Sequence, residues 1–153
     1  MPGFGPIHKL ADRMDKEYGL EELPSLVHSI YSEYKHIRVW VLEGMLGAGK
    51  TTLVQHLGKE LKINEDIISP TFSILNEYSS ETENKVYHLD LYRLKNISDL
   101  DEIGLHEIVE SGYFCLIEWA SAVGYVPESP WLEIRLEHLH QTRRKIKIIL
   151  HEN

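Results

Sequence analysis

A chain of 153 residues, 42% hydrophobic and 26% charged, carries enough apolar material for one buried core and too little length for two ordinary domains. Its 16 Lys and Arg against 24 Asp and Glu leave a formal charge of −8, so the whole is repelled by a polyphosphate backbone, and any service to RNA or DNA is expected through a partner. The single cysteine, Cys115, excludes an internal disulfide and a thiolate metal cluster; no apolar run approaches a membrane span of roughly 20 residues, and the start, MPGFGPIHKL, lacks a secretory-type apolar segment, so a reducing cytoplasmic setting is expected.

Residues 1–20 show no clear periodicity and are expected to form a poorly defined amino-terminal extension, with native and non-native origin both open for the stretch before Met14, ahead of a single domain over 21–153. Leu23, Leu26, Val27, Ile30, Tyr31 and Tyr34 recur at spacings of three and four, one face of an amphipathic helix that leads into a strand over 39–42. Leu53, Val54, Leu57 and Leu61 share a face of a second helix, which begins inside GMLGAGKT. SPT at 69–71 then opens the extended run FSILNEY, and the polar tip SSETENK separates it from VYHLDLY, which predicts an antiparallel hairpin. Ser98 with Asp101 three residues on resembles a capping box and predicts a helix through Glu110, against which Gly104 and the misplaced Glu107 argue. YFCLIEW reads as a buried strand with Cys115 as a small core residue, and WLEIRLEHL and KIKIILH follow Pro127 and Pro130 as the last two runs. The fold class expected is α/β: a central, mostly parallel sheet with antiparallel hairpin additions and helices on both faces.

The strongest chemistry lies in GMLGAGKT, where Gly44, Gly49, Lys50 and Thr51 satisfy G-x-x-x-x-G-K-[ST] between a strand and a helix. Glycines let backbone N–H groups wrap a phosphate, and the following helix aims its positive end at the same place. Lys50 can reach the β and γ phosphates, while the Thr51 hydroxyl offers an oxygen to Mg²⁺. An acidic partner from a neighbouring strand end has two candidates, Glu118 and Asp90. The continuous apolar run before Glu118 favours it for the metal, leaving Asp90 to orient the attacking water or to hold the γ-phosphate loop. His88 is expected either to orient Asp90 or to sit satisfied in the core. His138 and His140, two apart on a strand, read as exposed histidines rather than metal ligands, since no third ligand is signalled.

GMLGAGKTTL, SPTFSILNEY, YHLDLYRL and CLIEW, in this order and spacing, resemble the TsaE (YjeE) family of P-loop ATPases, which serve bacterial tRNA threonylcarbamoyladenosine biosynthesis. The resemblance is dense from Val39 to Ala120. It implies a P-loop NTPase-like fold and ATP binding by Gly44, Gly47, Ala48, Gly49, Lys50, Thr51 and Thr52. It further implies Mg²⁺ at Thr51 and Glu118, and catalytic roles for Lys50, Asp90, Glu118 and Thr71, the last in a switch-like loop near the γ-phosphate. Trp119 would lie close to the nucleotide. Arg143 is the better match for an arginine bordering the base, with the adjacent Arg144 leaving the register open. Ser121 departs from the longer polar side chain common in relatives. The implied partners are TsaB and TsaD homologues, whose complex such an ATPase resets, with tRNA engaged only indirectly and adenosine 37 modified by the partners. Outside the resemblance, a small-molecule kinase and a non-hydrolysing nucleotide sensor share the same loop.

Overall fold

In the computed structural model, residues 10–45, 47–70 and 73–152 are described. The first helix, α1 (Leu23–Tyr34), forms where the spacing predicts it; Pro24 stands in its first turn, where no backbone N–H is needed, and all six predicted apolar residues are buried. β2 (Val39–Glu43) leads through the glycine loop into α2 (Lys50–Glu60), which buries Leu53, Val54 and Leu57. β3 (Leu75–Ser80) and β4 (Asn84–Asp90) form the predicted antiparallel hairpin, followed by α3 (Asp99–Ile103), α4 (Leu105–Glu110) and β5 (Phe114–Glu118). β6 (Trp131–His140) and β7 (Arg143–His151) close the chain as a second hairpin.

One element lies where the sequence shows no period: β1 (Leu10–Gly19) pairs antiparallel with β7 along its whole length. Among the residues of this strand whose side chains are described, Met14 packs on the core and Tyr18, four residues on, is only 1% exposed. The residues between and around them are polar, with Asp15 reaching Lys145 at 3.6 Å and Lys16 reaching Glu22 at 3.9 Å. Charged side chains suit a strand at a sheet edge, and they hide its pattern from a periodicity reading.

The seven strands form one sheet in the order β1-β7-β6-β2-β5-β4-β3. The three central pairs, β6 with β2, β2 with β5 and β5 with β4, are parallel; the three outer pairs are antiparallel. Alternation sends Trp40, Leu42, Phe114, Leu116, Leu132 and Ile134 to the face covered by α1 and α2. Val39, Val41, Cys115 and Ile117 face α3 and α4, which contribute Leu100, Leu105 and Ile108. Leu42, Leu57 and Ile117 are fully buried, each contributing about 1.5–3 kcal/mol relative to an exposed side chain. Burial pushes the Cys115 thiol up to about 12, the behaviour of an inert core residue.

The predicted helix through Glu110 is two short ones. Gly104 takes a left-handed conformation at φ 74° and ends α3 after five residues. The capping box is absent as well: Ser98 Oγ donates to the Asn96 side chain, and Asp99 Oδ2 accepts the Lys95 and Asn96 N–H groups at 3.1 and 3.3 Å. Asp99, one residue later than expected, therefore closes the turn. Among the described residues no helix is long and apolar enough to cross a membrane.

Candidate functional site

The carboxyl ends of β2, β4 and β5 meet at one pole of the sheet, the crevice where ligands bind in open α/β sheets. The loop leaving β2 demands glycine at two points. Gly44 has φ 155°, and a Cβ there would stand 2.6 Å from the Leu136 carbonyl oxygen and 3.1 Å from the Ala48 Cβ. Gly49, at φ 106°, is the residue before α2, and no side chain caps that helix, so its first-turn amides are left to solvent or a ligand. Gly44→Ala is expected to cost about 1–3 kcal/mol, read as a lower melting temperature; unchanged melting would mean the loop relaxes around the methyl group.

Lys50, the first residue of α2, is only 6% exposed. Its ammonium donates to the Gly44 carbonyl and lies 3.8 Å from the centre of the Trp119 ring. Burial holds the Lys50 pKa below the ordinary lysine range, against the opposing charges of Glu118, Asp90 and Glu43. Trp119 turns sharply out of β5 at φ 61° and packs its ring on Tyr92, centroids 4.8 Å apart. The turn that follows is latched to the end of β2, because the Glu43 carboxylate accepts both the Ser121 N–H (3.1 Å) and the Ser121 hydroxyl (2.7 Å).

Asp90 and Glu118 are register partners at the ends of adjacent parallel strands, each 2% exposed. Asp90 Oδ1 accepts the Tyr92 N–H at 2.9 Å, and Glu118 Oε2 meets His88 Nε2 at 2.6 Å. The sequence reading leaves His88 either to orient Asp90 or to sit satisfied in the core; the structure joins it to Glu118 across the strands and leaves its Nδ1 without a partner. The alternation H-x-D marks His88 as sharing a face with the site, which was the available signal.

These groups surround a cavity of 230 Å³. Of the predicted residues, Gly47, Gly49, Lys50, Thr51, Thr52, Asp90, Glu118 and Trp119 line it, joined by Ser69 and Arg144. Ala48, 3% exposed, packs beneath the loop, and Gly44 opens instead on a neighbouring cavity of 510 Å³ that shares Trp119. Thr71 lies outside the described residues. Arg143 does not line this cavity: it reaches Glu22 at 3.5 Å and Glu17 at 3.9 Å, and of the two adjacent arginines it is Arg144 that forms part of the wall. The Arg144 Nε is buried with no hydrogen-bond partner, an unsatisfied donor beside Gly49. His138 and His140 are exposed on β6, with a break of register between them.

The donor set suits an anion with its counter-cation. Among the described residues no three His, Cys, Asp or Glu gather as a metal cage. Mg²⁺ commonly takes one or two carboxylates together with phosphate oxygens and water, and Glu118 with the exposed Thr51 hydroxyl offers such a partial set.

Fold and site define a mixed α/β protein whose sheet is parallel at its centre, with a glycine loop, a buried lysine and two buried carboxylates at the strand ends. The family model described as "Threonylcarbamoyl adenosine biosynthesis protein TsaE" matches residues 18–146. A protein of Nostoc sp. named tRNA threonylcarbamoyladenosine biosynthesis protein TsaE is 44% identical over 113 residues, 72% of this chain and 68% of that protein. A protein of the same name from Rickettsia felis is 35% identical over 133 residues, 84% of this chain and 75% of its own length. The crystal structure of Bacillus subtilis YdiB superposes with a TM-score of 0.74 at 27% identity, covering 94% of this chain and 88% of YdiB. The chain belongs to the TsaE family of tRNA threonylcarbamoyladenosine biosynthesis proteins.

Proposed function

We propose that the chain binds ATP with Mg²⁺ and hydrolyses it in the cytoplasm, in the service of threonylcarbamoylation of adenosine 37 in tRNA. It acts on a complex of TsaB and TsaD homologues and does not transfer the group itself. The observation that carries this reading is the convergence of Lys50, Thr51, Asp90 and Glu118 on one cavity at the head of α2, in a P-loop NTPase-like domain whose sheet includes β1 as well as the strands after residue 21.

The loop amides and the amino end of α2 receive the phosphates, and Lys50 exchanges the Gly44 carbonyl for a phosphate oxygen. Thr51 and Glu118 would hold Mg²⁺, which when bound would supply positive charge against the negative charge that develops on the phosphates. Asp90, fixed by the Tyr92 amide and in register with Glu118, orients the attacking water. For Thr71 the role at the γ-phosphate end is the one the family resemblance implies, while Trp119 and Arg144 border the rest of the nucleotide. Arg144 is the one guanidinium lining the cavity among the described residues; Arg93 is exposed and outside it. With no second arginine to stabilise the transferring phosphoryl group, the isolated chain is slow, and the partner complex completes the site.

Phosphate release measured with the chain alone and with TsaB–TsaD added tests the proposal. A low rate alone and a stimulated rate in the mixture is the expected pair. Transfer of the γ-phosphate to a small acceptor would replace this reading with a kinase, and nucleotide binding without release in every mixture would replace it with a sensor.

A further inference from the structure

His88 is a buried titratable group beside the metal-side carboxylate that the proposed chemistry does not use. It stands two residues before Asp90 on β4, so both side chains leave the sheet on the face that carries Val86 and α2. Its ring is 1% exposed, and its Nε2 lies 2.6 Å from Glu118 Oε2. A carboxylate only accepts, so Nε2 is the donor of this bond. Nδ1 is buried and has no hydrogen-bond partner.

An apolar ring of the same shape would fill this space without stranding a buried nitrogen, so packing alone does not account for a histidine here. The ring is nevertheless held firmly. Tyr78 lies against it, centroids 6.3 Å apart, and the Tyr78 hydroxyl is tied to the backbone of Ile68, donating to its carbonyl at 3.2 Å and accepting its N–H at 3.4 Å. Glu118 closes β5 with three side-chain torsions to fix, and the His88 bond takes Oε2 while the carboxylate still lines the cavity.

The geometry points to His88 as a positioning residue: it holds Glu118 in the rotamer from which the carboxylate meets a divalent cation carried by the nucleotide. The inference rests on the nucleotide and Mg²⁺ reading above. Carboxylates that ligate metals are generally hydrogen-bonded in turn, and loss of such a partner weakens the metal more than the rest of the ligand.

The test is Mn²⁺ binding to the full chain in the presence of ADP, read by electron paramagnetic resonance, beside ADP affinity in EDTA read by calorimetry. His88→Phe is expected to weaken Mn²⁺ by about tenfold or more while moving the metal-free ADP affinity by less than about twofold. His88→Gln, whose amide can donate to Glu118, is expected to recover most of the loss, and His88→Phe is expected to add nothing to Glu118→Ala. Unchanged Mn²⁺ affinity in His88→Phe, an equal loss in EDTA, or a full additional loss on top of Glu118→Ala overturns the inference. If His88→Phe does not fold, His88→Asn, whose amide stops short of Glu118, carries the same comparison. Absence of nucleotide-dependent Mn²⁺ binding in the wild-type chain overturns the proposed function as well; wild-type binding that His88→Phe leaves intact overturns this inference alone.

Discussion

Replacing Lys50 with alanine is expected to abolish partner-stimulated phosphate release, by about 10²-fold or more, while the fold survives. The lysine is buried, yet among the described residues its ammonium meets the Gly44 carbonyl and the face of Trp119, both at the walls of the two adjoining cavities and not within the apolar core. Its removal frees a carbonyl at the wall of an open cavity, which water can satisfy. The phosphates lose more: a cation already desolvated, whose depressed pKa marks how much it stands to gain from an anion. Phosphate release with TsaB–TsaD, beside a circular-dichroism melt, checks both halves. Turnover within a few-fold of wild type would remove Lys50 from the chemistry.

The second large effect is expected at Glu118. Where a partner that merely supports a metal ligand is worth 10- to 100-fold, loss of the ligand itself should cost at least about 10²-fold in the stimulated rate. Alanine tests this bluntly, since it also strands the His88 Nε2–H in a buried site at a cost of about 1–3 kcal/mol. Glutamine is the sharper variant, keeping an acceptor oxygen for His88 while deleting the charge. Glu118→Gln should retain metal-free nucleotide binding, measured by calorimetry in EDTA, where Lys50→Ala loses it. A Glu118→Gln protein with near-wild-type turnover would move the metal elsewhere.

The strand, loop and helix around residues 39–61 were legible because three independent signals coincide there: an apolar run, a glycine spacing and a 3.6-residue period. Asp90 and Glu118 were legible as strand ends, but their pairing in register was not, because strand order depends on contacts distant in sequence. Two adjacent arginines defeat a pattern of period two, since one residue of slip exchanges their faces; a register break between His138 and His140 intervenes before them, and Arg144 rather than Arg143 turns to the cavity. β1 stayed hidden because its apolar anchors, Met14 and Tyr18, are separated by charges suited to an edge. Gly104 was a visible warning that the helix would break. What followed it, a second short helix, was settled by Leu105 and Ile108 finding the core.

The pairing of β1 with β7 fixes where attachments can be made. Leu10 and His151 face each other at one end of that pair, while Gly19 and Arg143 meet at the other, beside the wall formed by Arg144. Ten extended residues separate the two ends, a distance of about 30 Å. A fluorophore, affinity handle or surface tether placed at Leu10 or His151 would therefore leave the mouth of the crevice open to bulk solution. Immobilised through that pole, the molecule presents its reactive side outward to whatever large assembly is flowed across it.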